Sequence, residues 1–250
     1  AKNEVTVQIK DLHFAYSAEK PAINGLNLNI QPKQLTVFVG KSGCGKSTLV
    51  SLLMGFYQAQ QGEILFNGVD IKQINRHSLY RHVSLVSHSS YIFKGSLREN
   101  MLMALSDASD DAIYQYLEQV NLANFVRENG GLDMMLLSRG TNLSGGQIQR
   151  LALARALLHN ADLYVFDEAT SNIDVESEEI ILQFIQQLKH EKTIVMISHR
   201  LANAVNADQI YVLQIGHLAE SGDHASLMAE NGIYAEMFNQ QKNLENIRTG

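Results

Sequence analysis

The 250 residues carry a formal net charge of −6, and 45% of them are hydrophobic. This charge, without any block of Lys and Arg, excludes nucleic-acid binding through a broad basic face. There is no secretory signal, and no uncharged apolar stretch approaches the roughly 18 residues of a membrane span, so we expect any spanning part to lie outside these residues or on another chain. The single cysteine, Cys44, has no partner for an internal disulfide, which suits a reducing compartment.

The predicted elements alternate between strands and helices. Near the start, apolar residues alternate with polar ones over residues 5–9 and 26–30, which predicts antiparallel strands with one solvated face. Short apolar runs predict further strands at residues 35–39, 64–66, 83–86, 163–166 and 193–197. The runs at 83–86, 163–166 and 193–197 are expected to be buried parallel strands. Apolar residues keep helical spacing at residues 113–120 and 181–188. Residues 91–150 show helical periodicity and no convincing strand.

These elements predict one α/β domain over residues 1–250. We expect a core with a mainly parallel sheet and an N-terminal antiparallel β subdomain, built from residues 1–90 and 151–250. We expect residues 91–150 to form a helical subdomain inserted between two strands of that core.

A phosphate-binding loop is predicted between the strand at residues 35–39 and the helix that follows it. Residues 40–48 fit the P-loop pattern, in which glycines at 40, 43 and 45 let the backbone curl its N–H groups around a triphosphate. The loop residues are Gly40, Lys41, Ser42, Gly43, Cys44, Gly45, Lys46, Ser47 and Thr48. Lys46 is the residue type that reaches the β- and γ-phosphates, and the Ser47 hydroxyl suits Mg²⁺. The pattern predicts ATP and Mg²⁺ as ligands, and the core is therefore expected to have the P-loop NTPase fold.

A second pair of residues with phosphate chemistry ends the strand at residues 163–166. Asp167 is placed to hold Mg²⁺, and Glu168 to polarise a water that attacks the γ-phosphate. A strand that ends in a solvated acidic turn is the alternative when this pattern stands alone.

A Gly-rich segment later in the chain predicts a second anion site. It consists of Leu143, Ser144, Gly145, Gly146 and Gln147. Ser144 is expected to cap a helix that runs through Leu158, with the two glycines exposing N–H groups in its first turn.

In order and spacing, the P-loop, this LSGGQ segment and the Asp167–Glu168 pair resemble the nucleotide-binding domain of the ATP-binding cassette (ABC) family. The resemblance covers residues 5–238 and extends to the segments 171–174 and 197–200. Residues 93–100, 139–140 and 220–234 are similar to the exporter branch of the family.

The resemblance implies further roles. The LSGGQ segment would close on the ATP held by a second copy of the domain, in a head-to-tail dimer. Asp174 resembles the D-loop aspartate, His199 the switch histidine at the γ-phosphate, and Tyr16 the aromatic residue that stacks on adenine. The catalytic residues would be Lys46, Glu168 and His199. The metal would be held by Ser47 and Asp167.

Two residues depart from the family pattern. His88 occupies the position of the Q-loop glutamine, and Ser138 replaces the X-loop glutamate. Both loops lie where cassettes of this family meet the membrane domain, so the changes bear on coupling more than on ATP binding.

The resemblance implies an ATPase that drives export through a transmembrane domain, at the cytoplasmic face of the membrane. The nucleotide-binding partner can be identical or different, and substrate choice in this family lies in the membrane domain. The alternatives are a soluble ABC ATPase that acts on DNA or ribosomes, a regulatory cassette without turnover, and an importer ATPase. No coiled-coil insertion or tandem cassette favours the first, and Glu168 argues against the second.

Overall fold

The computed structural model describes residues 4–17 and 20–249. Its strands are β1 (Val7–Ser17), β2 (Lys20–Ile30), β3 (Leu35–Val39), β4 (Gln61–Phe66), β5 (Val69–Asp70), β6 (Val83–Ser87), β7 (Gly95–Ser96), β8 (Met135–Leu136), β9 (Leu163–Asp167), β10 (Thr193–Ile197), β11 (Gln209–Gln214) and β12 (His217–Gly222). Its α-helices are α1 (Lys46–Leu53), α2 (Arg76–His82), α3 (Leu97–Leu102), α4 (Asp110–Gln119), α5 (Ala123–Glu128), α6 (Gly145–His159), α7 (Val175–Leu188), α8 (His224–Glu230) and α9 (Ile233–Thr249). Among the residues described, no helix combines the length and the apolar character that a membrane crossing requires.

The chain divides into two compact units. The first unit consists of Ala1–Val83, Asp162–Asp167 and Lys189–Gly250, and the second of Ser84–Ala161 and Glu168–Leu188. The subdomain boundaries expected from the sequence, at residues 91 and 150, stay a prediction.

The first unit contains the predicted antiparallel sheet, in the order β2-β1-β4-β5. Strand β1 pairs with β2 from Val7 opposite Ile30, and its apolar residues are buried on one face, as the alternation predicts. The pairing of β1 is irregular beyond Ile9, where Asp11 adopts a φ of 44°. Such bulges bend a strand and redirect the side chains that follow.

The first unit also contains the predicted strands β9, β10 and β3, which lie side by side in parallel. Strand β11, which was not predicted from the sequence, continues the sheet parallel to β3, and β12 adds an antiparallel edge. Strands β3 and β10 are buried along their whole length, as their uninterrupted apolar character predicts. The register places Ile197 beside both Phe38 and Asp167. The carboxyl ends of β3, β10 and β9 therefore share one edge of the sheet, which is the usual place for a ligand in this kind of fold.

The second unit is mainly helical. Helix α4 buries Ile113 and Leu117, two of the residues whose spacing predicts it, and Ser109 caps its N-terminus. The expectation of no strand in this region was wrong, because β7 and β8 pair antiparallel through Gly95 with Leu136 and Ser96 with Met135. Two residues are too few to generate an alternating pattern, so only the tertiary pairing defines these strands.

Candidate functional site

The predicted site residues fall on both units. Tyr16, the loop at residues 40–48, Asp167 and His199 belong to the first unit. His88, the segment at residues 143–147, Glu168 and Asp174 belong to the second.

The phosphate-binding loop connects β3 to α1, as predicted. Gly40 and Gly45 take φ values of 145° and 113°, a region that residues with a Cβ rarely adopt. A Cβ at Gly45 would lie 2.6 Å from the carbonyl oxygen of Ala22, and one at Gly40 would lie 2.8 Å from Sγ of Cys44. Both conformation and space therefore require glycine, which keeps the backbone of the loop tightly curled.

Lys46 places a buried cation inside this loop. Lys46 is only 4% exposed. Its Nζ donates hydrogen bonds to the carbonyl oxygens of Gly40 at 2.7 Å and Lys41 at 3.3 Å. In the part of the chain that the structure describes, Lys46 forms no ion pair with a carboxylate. Nζ also lies 3.6 Å from Sγ of Cys44. An ammonium held by two carbonyl oxygens and a thiol has neutral partners, and an anion such as a phosphate would supply a compensating charge.

Helix α1 leaves its first N–H groups available beside Lys46. Its N-cap is Gly45, which has no side chain to accept a hydrogen bond from the first turn. Uncapped N–H groups and the positive end of the helix dipole together bind anions. Ser47, in this first turn, is exposed, whereas Thr48 is buried.

Tyr16 lies next to the end of the same loop. Its hydroxyl donates a hydrogen bond to Oγ1 of Thr48 at 3.3 Å, while 58% of the residue stays exposed. The rings of Phe14 and Tyr57 pack edge-on or tilted against each other and against Tyr16. An exposed ring anchored beside a triphosphate site is suited to stack on a nucleobase.

Two more predicted residues of the first unit sit at the carboxyl edge of the parallel sheet. Asp167 is the last residue of β9, and His199 follows β10 by two residues. Because β10 runs between β3 and β9, both residues belong to the edge from which the phosphate-binding loop emerges. Carboxylate and hydroxyl oxygens are hard ligands that suit Mg²⁺, so Asp167 and Ser47 fit that ion.

Glu168 adopts a strained backbone conformation. Its φ is 53°, in the left-handed region that residues other than glycine rarely occupy, and its carbonyl oxygen accepts a hydrogen bond from the N–H of Ser171 at 2.9 Å. Such conformations concentrate at functional sites, where the surrounding structure holds them in place.

The LSGGQ segment begins helix α6, as predicted, with Ser144 as its N-cap. Ser144 Oγ accepts from the N–H of Gln147 at 3.1 Å, and Gln147 Oε1 accepts from the N–H of Ser144 at 2.8 Å. This reciprocal capping box engages the two polar side chains of the motif with the backbone. Gly145 remains exposed at the start of the helix.

Gly146 is instead buried against Asp174. A Cβ at Gly146 would lie 2.5 Å from Oδ2 of Asp174 and still closer to Oγ of Ser177. Asp174 directly precedes helix α7 and accepts a hydrogen bond from the N–H of Ser177 at 2.8 Å. That hydrogen bond, with a second from the Ser177 hydroxyl, lowers the pKa of Asp174 below its ordinary value. The structure thus brings the signature segment and the predicted D-loop aspartate together within the second unit.

His88 lies directly after β6, and its side chain is exposed. Its carbonyl oxygen accepts a hydrogen bond from Nε2 of Gln149, a buried residue of α6, at 2.6 Å. Ser138 is exposed and begins a short helical turn that ends at Gly140.

Sequence reasoning missed a set of glutamines that hold the backbone next to site residues. These are Gln60 at Ala15, Gln149 at His88 and Gln241 at His199. None belongs to a motif, and no sequence pattern points to them.

Comparison with known proteins adds the family. A family model described as ABC transporter matches residues 23–171. An uncharacterized ABC transporter ATP-binding protein of Haemophilus influenzae is 77% identical over 99% of the chain, which spans 44% of that protein. An ATP-dependent lipid A-core flippase of Francisella novicida is 40% identical over 97% of the chain, which spans 41% of the flippase. The chain therefore spans less than half the length of these curated relatives.

A solved structure is also similar. A bacterial Atm1-family ABC exporter with ATP bound superimposes with a TM-score of 0.91 at 33% identity, over 96% of this chain and 42% of the exporter chain. The resemblance and the fold class expected from the sequence are confirmed.

Proposed function

Because the chain belongs to the ABC transporter family, we propose that it binds and hydrolyses MgATP to power export across a membrane. The exporter direction is supported by the relatives, one named a flippase and one an exporter. The proposal places the chain at the cytoplasmic face of the membrane, because the cytoplasm supplies ATP.

The observation that carries the proposal is the buried ammonium of Lys46 inside a glycine loop at an uncapped helix end. A triphosphate would replace the carbonyl oxygens around Nζ with charged oxygens, and the N–H groups of the loop and of α1 would donate to it. Tyr16 would stack on the adenine. Ser47 and Asp167 would hold Mg²⁺, which supplies charge neutralisation at the phosphates when bound.

Hydrolysis needs a base and a group that stabilises developing charge. Glu168, at the end of the apolar strand, is proposed to accept the proton of the attacking water. Lys46 and His199 are proposed to bind the phosphoryl oxygens on which charge accumulates. Each residue acts with its own side chain, so each can be tested separately.

The second anion site supports a dimer. The first turn of α6 begins at the exposed Gly145, on a different unit from the phosphate-binding loop. A single triphosphate needs one such site, so we propose that the signature segment of one copy closes on the ATP of the other, in a head-to-tail pair. Asp174, packed on Gly146, would move with the signature segment and reach the same interface.

A membrane partner is proposed to dock on the second unit. Phe93, Met103 and Arg155 line a cavity of about 220 Å³ there. The large apolar residues Tyr91, Phe93, Met103 and Leu105 are all more than two-fifths exposed in this unit. Two of these residues, Phe93 and Met103, line the cavity, and exposed apolar residues at a cavity are typical of an interaction surface. The lengths of the relatives leave room for a transmembrane domain of similar size to this chain.

The proposal is tested by measuring MgATP binding and phosphate release for the parent and for Lys46→Met. We expect Mg²⁺-dependent phosphate release from the parent and a loss of both activities in the variant, because the ammonium is the charge that faces the phosphates. Lys41→Met, a change at an exposed lysine of the same loop, is the matched control for a general loss of charge. ATP binding without any phosphate release from the parent would favour a regulatory cassette.

A further inference from the structure

Gln60 holds the main chain of Ala15 through both atoms of its side-chain amide. Nε2 donates a hydrogen bond to the carbonyl oxygen of Ala15 at 2.8 Å, and Oε1 accepts one from the N–H of Ala15 at 2.7 Å. Ala15 is the residue before Tyr16 in β1. Two hydrogen bonds between one amide and one residue fix both the distance and the orientation of that backbone segment.

On the β4 side, the sheet provides no strand partner for Ala15. The pairing of β1 with β4 ends at His13 opposite Gln61. On the β2 side, Ala15 lies opposite Pro21, which has no N–H to donate, and the register shifts on both sides of this pair. Gln60 therefore replaces the ladder hydrogen bonds that Ala15 lacks on the β4 side, and its own N–H donates to the carbonyl oxygen of His13 at 3.1 Å.

The ring of Tyr16 depends on this backbone segment for its position. Its centroid lies 4.9 Å from that of Phe14 and 5.3 Å from that of Tyr57, with the rings nearly perpendicular in both pairs. These ring contacts and the hydrogen bond from the Tyr16 hydroxyl to Thr48 hold the ring in place, while more than half of the residue is exposed. A shift of Ala15 would move the ring relative to the phosphate-binding loop.

We propose that Gln60 is a positioning residue for Tyr16 and thereby sets the affinity for the base of the nucleotide. The inference rests on the proposed function, in which Tyr16 stacks on adenine. Gln60 acts only through the backbone of Ala15, so its effect is confined to the part of the binding energy that the base contributes.

The test compares a ligand that has a base with one that has none. Gln60→Met keeps the length of the side chain and removes both hydrogen bonds, and Gln58→Met, at an exposed glutamine of the same loop, is the matched control. We expect Gln60→Met to weaken the affinity for MgATP about threefold to tenfold. Its affinity for inorganic tripolyphosphate with Mg²⁺ should equal that of the parent, and Gln58→Met should change neither. Equal MgATP affinity in Gln60→Met and the parent would overturn the inference, and so would an equal loss with both ligands.

A spectroscopic measurement reports the ring directly. The chain has no tryptophan, so Tyr16→Trp introduces a single indole at the position of interest. Adding Gln60→Met should lower the fluorescence anisotropy of this indole and raise its quenching by acrylamide, both without nucleotide. If Gln60→Met does not fold, Gln60→Glu takes its place, because it keeps the acceptor for the Ala15 N–H and loses only the donor. If the anisotropy and the quenching of the indole are the same in Tyr16→Trp with and without the Gln60 substitution, the positioning role is contradicted.

Tyr16→Ala separates this inference from the proposed function. If it leaves the ratio of MgATP to tripolyphosphate affinity unchanged, the ring does not bind the base, and the proposed role of Tyr16 fails. If it lowers that ratio and Gln60→Met does not, only the positioning role fails. When both hold, the double variant should bind MgATP no more weakly than Tyr16→Ala alone, because the two residues act through one ring.

Discussion

Gln241 of α9 holds the backbone at His199. Its Nε2 donates a hydrogen bond to the carbonyl oxygen of His199 at 2.6 Å, and its Oε1 accepts one from the N–H of Leu201 at 2.9 Å. The amide thus spans the residue between them and fixes the loop that follows β10. Since His199 is proposed to act at the γ-phosphate, we expect Gln241 to position this side chain through its backbone.

Gln241→Met should therefore lower ATP turnover by about tenfold or more, because small displacements of a catalytic group are costly. The affinity for MgATP should stay close to that of the parent, since the phosphate-binding loop is unchanged. Gln240→Met, at the neighbouring exposed glutamine, is the control and should turn over ATP normally. Steady-state phosphate release and equilibrium binding give the two quantities, and a normal rate in Gln241→Met would show that His199 does not depend on this contact.

Glu168→Gln tests the proposed base. The amide keeps the size of the side chain and cannot accept the proton of water, so turnover should fall about 10²-fold or more with ATP affinity retained. ATP should then hold the chain as a dimer that light scattering detects. Unchanged hydrolysis in this variant would remove Glu168 from the mechanism.

Cys44 reports on the occupancy of the phosphate-binding loop. Its Sγ is buried, 3.6 Å from Nζ of Lys46, and leaves no room for a Cβ at Gly40. A maleimide adduct should displace the loop and abolish MgATP binding, and bound MgATP should slow the reaction. The insensitive control is Cys44→Ser. Full binding activity after complete alkylation would contradict this prediction.

His88→Gln tests whether the imidazole takes part in the chemistry of the chain. Gln149 binds the main chain of His88 and not its side chain, so the variant should fold with unchanged stability. Because the imidazole is exposed, we expect the ATPase rates of variant and parent to show the same dependence on pH and on Mg²⁺. The role of His88 would then belong to the contact with the membrane partner.

The opposite result has a clear signature. In His88→Gln, an amide oxygen replaces the imidazole, and oxygen suits Mg²⁺ better than nitrogen does. If His88→Gln shifted the Mg²⁺ dependence of the rate, His88 would act at the metal, and our expectation would be wrong.

Tyr234 should limit stability at high pH. Burial raises the pKa of its phenol from 10.0 to about 12, and its hydroxyl lies 2.8 Å from Nδ1 of His224. The folded state therefore holds this proton more tightly than the unfolded state. The resulting stabilisation is complete below pH 10 and is lost as the pH rises toward 12. In Tyr234→Phe, the free energy of unfolding should fall less steeply over this range. Denaturant titrations at several pH values measure the slopes, and equal slopes would exclude Tyr234 as the cause.

The local parts of the site could be predicted from the sequence. The phosphate-binding loop, the N-cap at Ser144 and the buried strands β3 and β10 all appear where the pattern places them. Each depends on the backbone preferences and the polarity of residues that are neighbours in the chain: glycine for positive φ, serine for a cap, an unbroken apolar run for a buried strand. This information is complete within a few consecutive residues.

Only the tertiary structure decided the contacts that hold these parts in place. The amides of Gln60, Gln149 and Gln241 reach backbone atoms 45, 61 and 42 residues away. Gly146 packs on Asp174, and β7 pairs with β8, for the same reason: the fold brings distant segments to within hydrogen-bonding or van der Waals distance. A glutamine has the same composition and local propensity whether it faces solvent or a main-chain carbonyl. The identity of its partner exists only once the chain has folded.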